Sequence, residues 1–127
     1  MFMSARPITG PILVVEDDGD VLNALRFALE IEGYDVRVFS TARALAHAAG
    51  GSGAACLIVD QRLPDETGLE LIARLRKRDI MTPAVLITTN LPSALQAQAA
   101  ALSVPVVEKP LLSNALFATV RSLIDAA

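Results

Sequence analysis

Five short apolar runs alternate along this chain with longer stretches in which apolar residues return at helical spacing, and this rhythm restricts the fold more than any other feature. The runs are Ile12 to Val15, Val36 to Phe39 with Arg37 interleaved, Cys56 to Val59, Ala84 to Ile87 and Val104 to Val107. Most lack alternation of apolar and polar residues, as expected of parallel strands covered by helices on both faces. Five strand–helix units predict an α/β architecture, a doubly wound five-stranded parallel sheet with five helices. A chain of 127 residues has the length of a single domain able to bury a core without disulfides or a structural metal, and no internal repeat or linker divides it.

The helical stretches carry their own punctuation. In the first, between Asp20 and Glu32, the residues Val21, Leu22, Leu25, Ala28 and Leu29 share one face; Asp20 is placed to cap it and Gly33 to end it. The second is expected from Thr41 to Ala49 after a Ser40 cap, with the Gly-Gly-Ser-Gly stretch at 50–53 as the loop behind it. Thr67 and Glu70 form a capping-box pattern for the third, whose Leu71, Ile72 and Leu75 face inward while Arg74, Lys77 and Arg78 stay in water. The fourth, Ser93 to Leu102, is built of Ala, Gln and Leu with almost no charge, and serves equally as a sheet cover or a partner surface. The last runs from a Ser113 cap to near Ala126 and presents Leu116, Phe117, Val120, Leu123 and Ile124.

Charge and composition exclude several function classes. The net charge is only -3 and the eleven basic residues form no long run, which argues against direct DNA binding. The start MFMSARPITG lacks a basic segment leading into an apolar one, and no run approaches the roughly 18 apolar residues a membrane span needs, so a soluble cytoplasmic protein is expected. The lone Cys56 lies in the apolar run CLIVD and reads as a buried small hydrophobe. His47 reads as a solvated or partly packed residue of the second helix, away from any acidic cluster.

Right-handed crossovers make all five strands parallel, so their carboxyl ends open on one edge, where open α/β sheets bind ligands. The first strand runs into Glu16 and Asp17, the third into Asp60, the fourth into Thr88 and Thr89, and the fifth into Glu108 and Lys109. One acid at a strand end is commonly a solvated turn or a cap, but several at one edge make a site. Such carboxylates raise one another's pKa unless a cation sits among them. Mg2+ takes oxygen ligands and commonly lies between one or two carboxylates and a phosphoryl group. Lys109 suits an anion arriving beside that metal, and Thr88 can donate to another of its oxygens. The set has the make-up of a phosphoryl site with Asp60 as the nucleophile.

Four pieces of the chain carry a resemblance: ILVVEDD, CLIVDQRLPDETG, PAVLITTN and VVEKP. In order, spacing and strand-end placement they make the chain similar to a response-regulator receiver domain of two-component signalling, the fold of the bacterial chemotaxis regulator. The resemblance implies a flavodoxin-like sheet of order 2-1-3-4-5, with residues 1–10 as an N-terminal extension and 11–127 as the receiver domain. It implies that Glu16, Asp17, Asp60 and the backbone carbonyl of Arg62 hold Mg2+, Glu16 partly through water. It further implies that Asp60 is the phosphoacceptor, Thr88 the switch hydroxyl and Lys109 the conserved-type lysine of such sites, with Lys109-Pro110 a cis bond. The implied partners are a sensor histidine kinase or histidine phosphotransfer protein, and a downstream protein docking on the α4-β5-α5 face. No enzymatic activity beyond self-phosphorylation and autodephosphorylation is implied.

The chain departs from the family pattern in places. Val106 stands where an aromatic switch residue is usual, and Thr89 where Ala or Gly is common; Arg62 and Asn90 occupy the variable positions that tune phosphoryl lifetime. Pro105 removes one ladder donor, so the fifth strand is an edge there or starts later. The alternatives are fewer in support. A haloacid-dehalogenase-type phosphohydrolase needs a second Asp two residues beyond the nucleophile, where this chain has Arg62. A nucleotide-binding module needs a glycine loop after a strand, whereas Gly51-Ser52-Gly53 precedes one. A receiver-like domain docking without phosphorylation is opposed by the complete set of Glu16, Asp17, Asp60, Thr88 and Lys109. With the chain ending at the fifth helix, it is expected to act by docking alone or as a fragment of a larger regulator or hybrid kinase.

Overall fold

The computed structural model describes residues 10–109, 111 and 114–126. Its elements follow in the order β1 (Ile12–Val15), α1 (Gly19–Ile31), β2 (Val36–Phe39), α2 (Ala42–Ala49), β3 (Cys56–Asp60), α3 (Gly68–Lys77), β4 (Ala84–Thr88), α4 (Ser93–Ala101), β5 (Val106–Glu108) and α5 (Ala115–Ala126). The strands form one parallel sheet of order β2-β1-β3-β4-β5, as expected.

The uninterrupted apolar runs are explained by burial on both faces. Leu13, Val15, Leu57, Val59 and Leu86 point to one side, against Leu45, Leu71, Ile72 and Leu75 of α2 and α3. Ile12, Val14, Ile58, Val85 and Ile87 point to the other, against Leu25 and Leu29 of α1 and Leu116 and Val120 of α5. Each such residue contributes about 1.5–3 kcal/mol by leaving water, so a polar residue in the middle of these strands would cost more than any local propensity returns. Cys56 is buried in this core, and desolvation pushes its thiol up to about 12, which leaves it inert as a nucleophile.

Several boundaries differ from expectation, each for a physical reason. The cap of α1 is Asp18, not Asp20: its carboxylate accepts from the N–H groups of Asp20 and Val21, because the helix begins at Gly19 and a cap must precede the donors it satisfies. Likewise Thr41 rather than Ser40 caps α2, accepting from Ala44 N–H. The strand β5 begins at Val106, two residues later than expected. Pro105 precedes it, has no N–H to offer, and accepts from Leu86 N–H at 2.9 Å through its carbonyl. Gly33 ends α1 as predicted: at φ +98° it allows its own N–H to reach Glu30 O and that of Tyr34 to reach Leu29 O. The capping box of Thr67 and Glu70 on α3 is fully formed. The Ser113 cap and the Lys109-Pro110 bond lie outside the described residues.

The loop after β3 also caps a neighbouring helix. Asp65 accepts from Ala42 N–H and Arg43 N–H of α2, each at 2.9 Å, so with Thr41 the first three amides of that helix are satisfied. Desolvation pushes the Asp65 carboxyl up, but the amides of Arg43 and Ala42, with those of Asp65 and Glu66, together outweigh it and hold its pKa below the ordinary value of 3.8. A depressed carboxylate stabilises the fold above the unfolded pKa and loses that contribution as pH falls through the folded one. Asp65→Ala should therefore cost about 1 kcal/mol at pH 7. Denaturant melts of both proteins should show the gap narrowing below about pH 3.8, and a gap independent of pH would refute the assignment.

Candidate functional site

The sheet register sets the site. Val15 pairs with Val59, so Glu16, the next residue of the first strand's exit, comes level with Asp60 at the end of β3. Asp60 pairs with Ile87, and Thr88 pairs with Glu108, which brings Lys109 to the same edge. Because the strand order reverses between β1 and β3, this edge is the crevice where a doubly wound sheet takes its ligand.

Glu16, Asp60 and Thr88 are the buried polar residues of the described chain, at 1%, 3% and 5% exposure. Burial without compensation is costly, and each has a partner. The Lys109 ammonium donates to Glu16 Oε1 at 2.8 Å and to Asp60 Oδ2 at 3.3 Å. Asp60 Oδ1 accepts from Arg62 N–H at 3.3 Å, and Glu16 Oε2 from Asp18 N–H at 3.2 Å. The Thr88 hydroxyl donates to the Asn90 carbonyl at 3.2 Å. Desolvation, with Asp60 alongside, raises the Glu16 carboxyl above its ordinary range against the pull of Lys109. Burial works to lower the Lys109 ammonium, but Glu16 and Asp60 outweigh it, so its pKa is raised and it stays charged.

Oxygens of Glu16, Asp17 and Asp60 lie within 4.8 Å of one another, with Asp17 exposed to solvent. Three hard oxygen donors this close, one of them open to water, fit a divalent ion that keeps part of its hydration shell. They line a cleft of about 680 Å3 together with Arg62, Thr88, Asn90 and Lys109. The expected residues thus converge, and Arg62 and Asn90 stand at the mouth. Asp18 also lines the cleft while capping α1. His47 is exposed on α2 and contributes nothing to it.

The family model of the response regulator receiver domain matches residues 12–121. This chain belongs to that family. A receiver domain from Methanospirillum hungatei superposes with TM-score 0.86 at 22% identity, covering 94% of this chain and 96% of that one. The BeF3-activated receiver domain of DrrB superposes with TM-score 0.80 at 21% identity, covering 93% and 99%. Among curated relatives, the transcriptional regulatory protein FixJ of Bradyrhizobium diazoefficiens is 31% identical over 93% of this chain and 58% of its own length. The C4-dicarboxylate transport transcriptional regulatory protein DctD of Pseudomonas aeruginosa is 32% identical over 90% of this chain and 25% of its own. This receiver domain therefore spans only part of such relatives. Among the described residues no helix is long and apolar enough to cross a membrane.

Two supports of the receiver site escaped sequence reasoning. Gln61 accepts from Leu69 N–H through its side chain and from Gly68 N–H through its carbonyl, both at 3.0 Å, which folds the loop after Asp60 back onto α3. Asp65 anchors the same loop on α2. The aspartate in LPDETG was the available signal, but its target lies more than twenty residues away and no local pattern names it.

Proposed function

We propose that this receiver domain accepts a phosphoryl group on Asp60 from a phosphohistidine of a sensor kinase or histidine phosphotransfer protein. The observation that carries the reading is the buried Asp60 carboxylate, held between the Lys109 ammonium and Arg62 N–H at the floor of an acidic cleft. In the transfer a carboxylate oxygen of Asp60 bonds to phosphorus while the P–N bond to the donor imidazole breaks. The bonding pair stays on the ring nitrogen. The transferred group carries charge on its peripheral oxygens, so most of the catalysis is positioning and neutralisation. Lys109 supplies one fixed positive charge, and the Thr88 hydroxyl can turn from Asn90 O to a phosphoryl oxygen. Glu16, Asp17, Asp60 and the Arg62 carbonyl would hold Mg2+, which would supply further charge neutralisation when bound. Water attacking the same phosphorus breaks its bond to the Asp60 oxygen, which frees inorganic phosphate and restores the carboxylate.

We place the receiver at residues 11–127, in the cytoplasm, with the α4-β5-α5 face as the surface read by a downstream partner. Acetyl phosphate with Mg2+ should add a single phosphoryl group by intact mass, and chelation of the metal should prevent it. An unchanged mass under conditions that label a control receiver would falsify the proposal. Asp17→Ala should weaken Mg2+ binding by on the order of tenfold or more. Asp18→Ala should leave it nearly unchanged and lower helix stability by about 1 kcal/mol instead. Equal losses of affinity in a titration would overturn the ligand assignment.

A further inference from the structure

The loop from Gln61 to Thr67 forms one wall of the acidic cleft, to which Gln61, Arg62, Leu63 and Thr67 contribute. It also carries the Arg62 carbonyl, the backbone oxygen of the proposed metal set. A backbone ligand has no side-chain rotamers with which to adjust, so it is placed only as well as its loop is placed. Most polar ties of this loop lead back to its own ends. Arg62 N–H donates to Asp60 Oδ1, Arg62 pairs with Thr67 across the loop, and the side chains of Gln61, Glu66 and Thr67 are bonded to α3.

One side chain reaches further. Asp65 Oδ1 accepts from Ala42 N–H and Asp65 Oδ2 from Arg43 N–H, each at 2.9 Å, across 23 and 22 residues of chain. Those amides open α2, whose Ala42, Leu45, Ala46 and Ala49 are buried in the core. The tip of the loop is thereby fixed to a firmly seated helix. Because each carboxylate oxygen takes its own amide, the contact sets direction as well as distance.

We propose that Asp65 is a positioning residue for the divalent ion: its clamp on α2 holds the loop, and with it the Arg62 carbonyl, in the ligating position. The inference rests on the metal reading of Glu16, Asp17, Asp60 and Arg62, and goes beyond it by making α2 a support of the site. By linkage the effect is reciprocal. An ion that binds the clamped loop more tightly also holds the clamp closed, so occupancy of the acidic cleft is felt at the start of α2. Thr41 supplies the control, since it caps the same helix through Ala44 N–H and, among the described residues, has no bond to the loop.

Nuclear magnetic resonance of the whole chain, titrated with Mg2+ alone, reads both ion affinity and amide exchange. Asp65→Ala should weaken Mg2+ binding about fivefold, less than the loss of a direct carboxylate ligand. Asp65→Asn keeps an acceptor oxygen for one of the two amides and should fall between Asp65→Ala and wild type. Thr41→Ala should lower the thermal midpoint about as much as Asp65→Ala, and leave Mg2+ affinity unchanged. In wild type, saturating Mg2+ should slow exchange of the Ala42 and Arg43 amides by the same factor of about five, a response that Asp65→Ala should lose. Equal weakening of Mg2+ binding in Thr41→Ala would mean that helix stability alone is being read. Equal weakening in Asp65→Asn and Asp65→Ala would mean that only the charge matters. Either result would overturn the clamp, and so would wild-type exchange indifferent to bound Mg2+. A wild-type protein that binds no Mg2+ would instead refute the metal set itself, and this inference with it.

Discussion

Asp60→Asn is expected to abolish phosphoryl uptake while leaving the domain folded. The substituted amide keeps an oxygen for Arg62 N–H at the position of Oδ1, and Lys109 keeps its shorter bond to Glu16. What disappears is the nucleophilic carboxylate oxygen, and no neighbouring acid can replace it. Asp17 is exposed at the cleft edge, and Glu16 is engaged by both Lys109 and Asp18 N–H. The same change removes one of two buried like charges that share Lys109, so stability without metal should hold or rise. Intact mass after acetyl phosphate treatment, paired with a thermal melt, checks both parts. A phosphorylated Asp60→Asn protein would move the acceptor elsewhere, and a collapsed melting curve would make the loss of uptake uninformative about chemistry.

Gly68→Ala should be strongly damaging for the addition of a single methyl group. A Cβ at Gly68 would stand 2.5 Å from the Asp60 carbonyl oxygen, 2.8 Å from Leu86 Cδ1 and 2.9 Å from Val59 Cγ1. Leu86 and Val59 can turn a little, but Asp60 O belongs to the backbone of a central strand and cannot. The helix α3 must retreat from the sheet, which weakens the bonds from Gly68 N–H to Gln61 O and from Leu69 N–H to Gln61 Oε1. Overpacking of this kind costs about 1–3 kcal/mol, and the lost bonds add to it. Denaturant midpoints should fall accordingly. Phosphoryl uptake should slow as well, because the retreat of α3 loosens Gln61, the residue that directly follows the phosphoacceptor. An unchanged midpoint would show that α3 has more room than the geometry allows.

The position of Gly68 was legible as the last letter of CLIVDQRLPDETG, but its reason was not. Nothing in the spacing says that the helix begins against Asp60 O. The acidic run after β1 shows the same division. That Glu16 and Asp17 belong to the site follows from where an apolar strand must end. Which acid caps α1 turned on whether the helix starts at Gly19 or two residues later, and glycine, a weak helix former, hid the start. Val106 is a third case. Its lack of an aromatic ring was plain, whereas the cleft between it and α4 came into view only with α4 in place.

The amino-acid sequence by itself determined the five strand–helix units, the two buried faces of the sheet and the edge on which Glu16, Asp17, Asp60, Thr88 and Lys109 gather. Those follow from hydrophobic periodicity and from where each apolar run stops, both of which are local properties of the chain. Only the tertiary structure decided that Lys109 bridges Glu16 and Asp60, that Thr88 faces Asn90 and that Asp65 caps α2. Hydrogen bonds act over about 3 Å and depend on direction, so a shift of one residue in a helix start or one rotamer in a loop selects a different partner while the apolar pattern stays the same.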